Sequence, residues 1–376
     1  MGCLSFCGST KKQAIEIDGD VQRVKLYSYK ELKTATRDFN LQCKIGEGGF
    51  GSVYKGRLRD GTAVAIKVLS TESKQGIREF LTEITVVSDI SHENLVKLHG
   101  CCVEGTHRIL LYNYLENNSL SQTLLNPRGY SRSEQLVFNW ETRRKICIGV
   151  ARGLAYLHEE LKPPIIHRDI KASNILLDND LNPKISDFGL ARLLSADKTH
   201  VSTDVAGTLG YLAPEYAMRG QVTKKADVYS FGVLLLEIVC GRHNNNPKLP
   251  AGHRFLLERV WVLHETGEIA NIVDTELIGL PDFNVEEACS FLRVGLLCTQ
   301  GTLNYRPSMS SIVKMLMGQR DVNMLKIDRP GLITDLFDIG KKTDSTTSKT
   351  RNTNSTTQIM SINSSESAPF IKISHP

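Results

Sequence analysis

The stretch His167-Arg168-Asp169-Ile170-Lys171-Ala172-Ser173-Asn174, followed by Asp187-Phe188-Gly189 and closed by Ala213-Pro214-Glu215, decides the reading of this chain. Asp169 is a carboxylate placed to orient a hydroxyl and accept its proton, and Lys171 a cation able to steady a transferring phosphoryl group. Asn174 offers a neutral oxygen and Asp187 a charged one, a donor pair suited to a hard divalent ion. Apolar runs flank the loop, Ile165-Ile166 before it and Ile175-Leu176-Leu177 after it. They predict short strands that anchor it in a core. A loop of ordinary surface polar residues would need no such anchors.

Upstream, Ile45-Gly46-Glu47-Gly48-Gly49-Phe50-Gly51-Ser52-Val53 carries G-x-G-x-x-G. Taken alone that pattern also fits a dinucleotide fold. Here, however, Ser52 to Leu58 alternates as a strand, Asp60-Gly61 makes a turn, and Thr62 to Leu69 forms a second strand. The glycines therefore cap a hairpin rather than a helix. They let backbone amides approach a triphosphate with no Cβ in the way, while Val53 and Ala65 close on the base. Lys67 interrupts an apolar strand, where a cation needs a partner; the phosphates and a helix carboxylate are its expected partners. The next helix offers Glu79 and Glu83. At about 100° per residue Glu83 falls nearer the apolar face of Ile77, Phe80, Leu81, Ile84 and Val87. Glu83 is the choice, with Glu79 turned toward solvent.

Between Asp187 and Glu215 lie Ser195, Thr199, Ser202, Thr203 and Thr208. Arg168 is a cation that burial would leave wanting an anion, and a phosphate on this segment would supply one. Thr203 is the first candidate, then Ser202, with Thr199 and Thr208 behind. Asp227 opens an apolar helix as a structural acceptor for the catalytic loop, and Arg306 is the expected ion-pair partner of Glu215.

The 376 residues carry a formal charge of +5 and no dense basic cluster interleaved with aromatics, so no nucleic-acid partner is expected. Nine scattered cysteines make no disulfide or zinc pattern and imply buried free thiols in a reducing compartment. No apolar run reaches the roughly 20 residues of a membrane span. The start, Met1-Gly2-Cys3-Leu4-Ser5-Phe6-Cys7, would expose Gly2 for myristoylation, with palmitate on Cys3 or Cys7 as the second anchor. Phe6 departs from the usual hydroxyl residue there. Ser28-Tyr29-Lys30-Glu31 reads as a capping box opening a short helix, and the Ser/Thr/Asn-rich end as a disordered tail.

These motifs resemble the eukaryotic protein kinase family from Phe39 to Leu316. Gly46–Gly56, His92-Glu93-Asn94-Leu95-Val96 and Gly207-Thr208-Leu209-Gly210-Tyr211-Leu212-Ala213-Pro214-Glu215-Tyr216 are similar to plant receptor-like kinases of the Pelle type, and with no ectodomain or span, to the receptor-like cytoplasmic kinases. The resemblance implies an α+β, bilobal protein kinase fold: a small antiparallel β-rich N-lobe with one helix and a larger, mainly helical C-lobe. Expected boundaries are an N-terminal segment 1–26, a helical lead-in 27–38, the N-lobe 39–115, the C-lobe 116–320 and the tail 321–376. Also implied are ATP with Mg2+ or Mn2+, serine/threonine specificity toward protein substrates, Tyr112 at the back of the adenine pocket and Leu115 at the hinge. On pattern alone, 109–115 is only a core strand. An upstream membrane receptor kinase and the cytoplasmic face of the plasma membrane follow, with plain cytoplasm as the alternative. A pseudokinase scaffold is the rival class, against which stand Lys67, Asp169 and Asp187; a small-molecule kinase would not need Ala213-Pro214-Glu215 and Arg306.

Overall fold

Ser28 Oγ accepts the backbone N–H of Glu31, whose carboxylate in turn accepts from Ser28 N at 2.9 Å. That reciprocal cap opens α1 (Tyr29–Ala35) in a computed structural model describing residues 24–48, 51–70, 74–126, 136, 138–195, 200–203 and 205–332. Gly2, Cys3, Cys7, Gly49, Phe50, Thr199 and positions 333–376 lie outside the described residues. After α1 come β1 (Lys44–Gly48), β2 (Gly51–Arg57), β3 (Ala63–Leu69), α2 (Lys74–Val87), β4 (Leu98–Glu104) and β5 (His107–Asn113). The strands form one antiparallel sheet in the order β1-β2-β3-β5-β4.

Two-residue alternation sorts that sheet into faces. Val64, Ile66, Ile109 and Leu111 pack with Leu32 of α1 on the outer side. Leu69 and Leu110 meet Phe80 and Ile84 of α2 on the inner side, so Lys67, in phase with Leu69, faces the cleft. Gly51 has no substitute at its place, because a Cβ there would stand 2.0 Å from Val68 O on β3.

The second lobe contains α3 (Leu120–Thr123), α4 (Trp140–Ala155), β6 (Ile165–Ile166), β7 (Ile175–Leu177), β8 (Pro183–Ile185), β9 (Arg192–Leu193), β10 (Val201–Ser202), α5 (Pro214–Arg219), β11 (Gln221–Val222), α6 (Lys224–Cys240), α7 (Ala251–Arg254), α8 (Leu256–Glu265), α9 (Val285–Cys298) and α10 (Met309–Leu316). Apolar on nearly every side, α6 is buried from Ala226 to Cys240 and forms the post against which α4, α8 and α9 pack. The lobes are tied where Val96 N donates to Ile185 O at 3.0 Å and Ile185 N donates to Asn94 O at 2.8 Å. No described helix is long and apolar enough to cross a membrane. The described cysteines are free thiols.

Packed structure continues past the expected C-lobe end at 320. Val322 is buried, and Pro330 pairs across Gln300. The segment 321–332 has no regular hydrophobic period; Leu325, Ile327 and Leu332 pack on the core and its main chain bonds Thr299 and Gly301, contacts to distant parts of the chain that composition does not register.

Candidate active site

The β7–β8 register sets Ile175 against Ile185, which brings Asn174 beside Ser186. Ser186 N donates to Asn174 O at 2.9 Å, so Asp187 follows directly beside the loop that carries Asp169. Two backbone kinks aim these groups: Arg168 has φ 73° and Asp187 φ 68°. Left-handed backbone at such residues costs about 1–3 kcal/mol and persists only where neighbours hold it. At the loop the holder is Asp227, fully buried, which accepts His167 N at 2.7 Å, Arg168 N at 2.8 Å and a contact from His158 Nε2 at 2.8 Å. Burial acts to raise the Asp227 carboxyl, but these donors outweigh it and hold it below the usual range.

Lys67 Nζ donates to Glu83 Oε1 at 2.5 Å and to Asp187 Oδ1 at 2.7 Å, joining sheet, α2 and the second lobe. Burial acts to depress the ammonium, yet the two carboxylates raise it, so Lys67 stays charged. Burial pushes Glu83 up, with Lys67 pulling it back; at Asp187 burial is outweighed by Lys67 and the carboxyl is lowered. Tyr112 Oη donates to Glu83 Oε2, which fixes the second carboxylate oxygen. Val53 and Ala65 lie on the cleft strands, Ile45 and Glu47 stand exposed on β1, and Leu115 packs partly buried at the lobe junction. Gly46 and Gly48 pair with Val53 and Gly51, and Ser52 with Glu47, so the described part of the glycine loop is the end of a hairpin.

Glu79 is corrected by the structure: it is buried, not turned to solvent. The turn Phe188–Leu190 covers that side of α2, and a Cβ on Gly189 would stand 3.0 Å from Glu79 Cγ. A helical wheel sees one apolar face, and the second wall comes from residues a hundred positions away. Desolvation pushes Glu79 to about 7.

Asp169 sits in a closed set of donors. Lys171 Nζ lies 2.8 Å from Oδ2, Asn174 Nδ2 donates to Oδ2 at 3.0 Å and to Asp169 O at 2.8 Å, and Thr208 Oγ1 donates to Oδ1 at 2.9 Å. Lys171 Nζ also donates to Thr208 Oγ1 at 2.9 Å. Thr208, expected among the phosphorylation candidates, is therefore corrected: it is buried and bonded to Asp169 and Lys171, where a phosphate would place its charge against Asp169. Since the Asn174 amide nitrogen is spent on Asp169, its carbonyl oxygen remains as a ligand. Among the described residues no three His, Cys, Asp or Glu converge as a metal cage. Asp187 and Asn174 thus fit an ion that completes its shell with phosphate oxygens and water, as Mg2+ does beside nucleotides.

Arg168 is less exposed to an incoming anion than its sequence position implies. Its Nε and Nη2 donate to Tyr216 Oη and its Nη1 to Leu190 O at 3.1 Å. Tyr216 gave no signal in sequence beyond an aromatic in an apolar helix. Two further arginines gather here: burial, Arg168 and Arg78 together hold Arg192 below the usual guanidinium range. Thr203 N donates to Gly220 O at 3.1 Å, and Ser202 pairs with Gln221 on the β10–β11 ribbon. Arg306, buried, donates through Nη1 and Nη2 to Glu215 Oε1 and Oε2 at 2.7 and 2.8 Å, a two-pronged pair at the start of α5.

Residues 39–313 match the model of the protein kinase domain. Over 342 residues the chain is 61% identical to Cold-responsive protein kinase 1 of Arabidopsis thaliana, covering 90% of this chain and 86% of that protein. It is 53% identical over 309 residues to a probable LRR receptor-like serine/threonine-protein kinase of the same plant, across 82% of this chain and 29% of that protein. A probable leucine-rich repeat receptor-like kinase is 51% identical over 326 residues, 87% of this chain and 31% of its own length.

Proposed function

The chain belongs to the protein kinase family and is an ATP-dependent protein serine/threonine kinase; from that premise we propose how its residues share the work and where it acts. Lys67, oriented by Glu83, takes the α- and β-phosphates of ATP beneath the hairpin of Gly46 to Gly51. Asp187 and Asn174 would hold a divalent ion, Mg2+ or Mn2+, which would supply charge neutralisation to the phosphates. Asp169 orients the substrate hydroxyl and receives its proton as the hydroxyl oxygen bonds the γ-phosphorus and the bond to ADP breaks. Lys171 steadies the transferring group. What carries this reading is one contact set: Lys67 bonded at once to Glu83 and Asp187, which ties both lobes around a single cation. Purified protein should transfer radiolabel from ATP to protein hydroxyls, and an Asp169→Asn variant should bind nucleotide but fail to transfer. Equal labelling by that variant would overturn the assignment. A pseudokinase scaffold is not favoured, since Lys67, Asp169 and Asp187 are all present.

The segment from Asp187 to Glu215 is switched on by autophosphorylation, with Thr203 ahead of Ser202 and Thr199. In support, Arg168 and Arg78 both act to lower Arg192, so three guanidinium groups lie near one another. A doubly charged phosphate would draw them together. Phosphosite mapping alongside a Thr203→Ala, Ser202→Ala variant tests this; undiminished activity would refute it.

The enzyme acts at the cytoplasmic face of the plasma membrane beneath a receptor kinase, held by acyl groups on Gly2 and Cys3 or Cys7. The motif at the chain's start and the likeness to receptor-like kinases support that setting. Membrane fractionation of Gly2→Ala decides between it and plain cytoplasm: unchanged sedimentation would end the anchor.

A further inference from the structure

Beyond α10 the chain returns to the lobe and lies behind the peptide platform. Residues 328–331 run antiparallel to 299–301: Gly301 N donates to Arg329 O at 3.1 Å, and Gly331 N donates to Thr299 O at 3.0 Å. Gln300, buried between them, accepts Asp328 N on Oε1 at 2.9 Å and accepts Arg306 Nε on its main-chain oxygen at 2.8 Å. Tyr229 Oη donates to Gly331 O at 2.7 Å, while the Arg306 guanidinium lies 5.0 Å from the centre of the Tyr229 ring. At Gly331 a Cβ would stand 3.2 Å from both Gly301 Cα and Pro214 Cγ, so the absence of a side chain lets this segment touch the first residue of α5. At its start Asp328 lines an open cavity of about 420 Å³ shared with Leu297, Tyr305 and Met315.

The contacts form a closed circuit. Gln300 and Tyr229, which hold the segment, also hold Arg306, and Arg306 holds Glu215. No bond in the circuit reaches Lys67, Glu83 or Asp187. We infer that residues 328–331 are a strap that fixes α5 from behind, making Gly331, Tyr229 and Gln300 positioning residues for the protein substrate and not for ATP. This rests on the reading of Glu215 and Arg306 as the frame of the peptide platform. It also extends the functional kinase region past α10 to include the strap.

The test uses the full chain with myelin basic protein as phosphoacceptor, varying it and ATP separately. Tyr229→Phe removes one hydrogen bond to the strap, and Gly331→Val lifts the strap from Pro214; Gly331→Ala replaces the latter should it fail to fold. Loss of one such bond is expected to raise KM for the protein substrate roughly 2- to 10-fold, with KM for ATP within twofold. Hydrogen exchange at 213–219 should quicken. Arg306→Ala runs beside them. If Arg306→Ala raises the protein KM and the strap variants do not, or raise both KM values equally, the strap inference is overturned and the platform stands. If Arg306→Ala leaves the protein KM unchanged, the platform reading falls and the strap with it.

Discussion

Replacing Thr208 by valine keeps the side chain's bulk and deletes one hydroxyl. In the wild type that hydroxyl donates to Asp169 Oδ1 at 2.9 Å and accepts from Lys171 Nζ at 2.9 Å. The other carboxylate oxygen already receives Lys171 and Asn174, so Oδ1 depends on Thr208 for its hydrogen bond among the described residues. Hydrogen bonds to charged groups contribute about 1.5–3 kcal/mol each. If one such bond's worth is lost from the transition state, kcat falls roughly 10- to 150-fold at about 1.36 kcal/mol per decade. KM for ATP should stay within about twofold, because the Lys67 contacts are untouched. Thr208→Ser keeps the hydroxyl and should recover most of the rate. The assay is steady-state transfer of radiolabel with ATP and protein substrate varied in turn. A Thr208→Val enzyme with wild-type kcat would refute the positioning role, and phosphate mapped on Thr208 in active enzyme would refute its burial against Asp169.

Glu83→Gln should lower kcat/KM for ATP roughly tenfold or more, a charge-assisted bond's worth, whereas Glu79→Gln should change it little because the Glu79 side chain bonds Gln75 at 3.1 Å; the reverse order, read from ATP kinetics, would show that the wrong glutamate was chosen. Asp227→Asn turns an N–H donor toward the loop amides and should cost roughly 3–5 kcal/mol, seen as a lower urea midpoint; an unchanged midpoint would mean the loop holds itself. Glu237 is pushed to about 7 by burial, although Tyr211 Oη donates to it at 2.6 Å and Asn244 N at 2.7 Å, with His243 Nδ1 at 3.9 Å. A carboxyl whose folded pKa is raised stabilises the fold fully below its unfolded pKa and loses that contribution as pH rises through about 7. Thermal unfolding between pH 5 and 8 should therefore be flatter with pH in Glu237→Gln than in the wild type, and parallel curves would contradict the assignment.

The roles proposed for residues 167–174 rest on a local signal, because phosphoryl transfer calls for particular side chains within one short loop. The role proposed for Asp187 rests on the same kind of signal, Asp187-Phe188-Gly189. Thr208 had no such signal: its segment says only that hydroxyls are frequent, and which of them folds back onto Asp169 depends on how α5 and the loop before it dock. Glu79 failed because the helical period reports one buried face. The wall over its other side, Phe188–Leu190, belongs to the second lobe. Arg168 was legible as a cation beside the catalytic carboxylate, but not as one already served by Tyr216 and Leu190.

By itself the sequence determined the chemistry and the secondary structure that carries it: residue types at short spacings, strand alternation that turns Lys67 inward, and a capping box at Ser28. The docking of distant segments settles which hydroxyl touches Asp169, which carboxylates are dry, and that packing continues past α10. The reason is physical. Side-chain chemistry and backbone period act over a few residues and leave a mark in composition, whereas desolvation and main-chain pairing join residues far apart in sequence, as Gln300 and Pro330 do, and most side chains permit them equally.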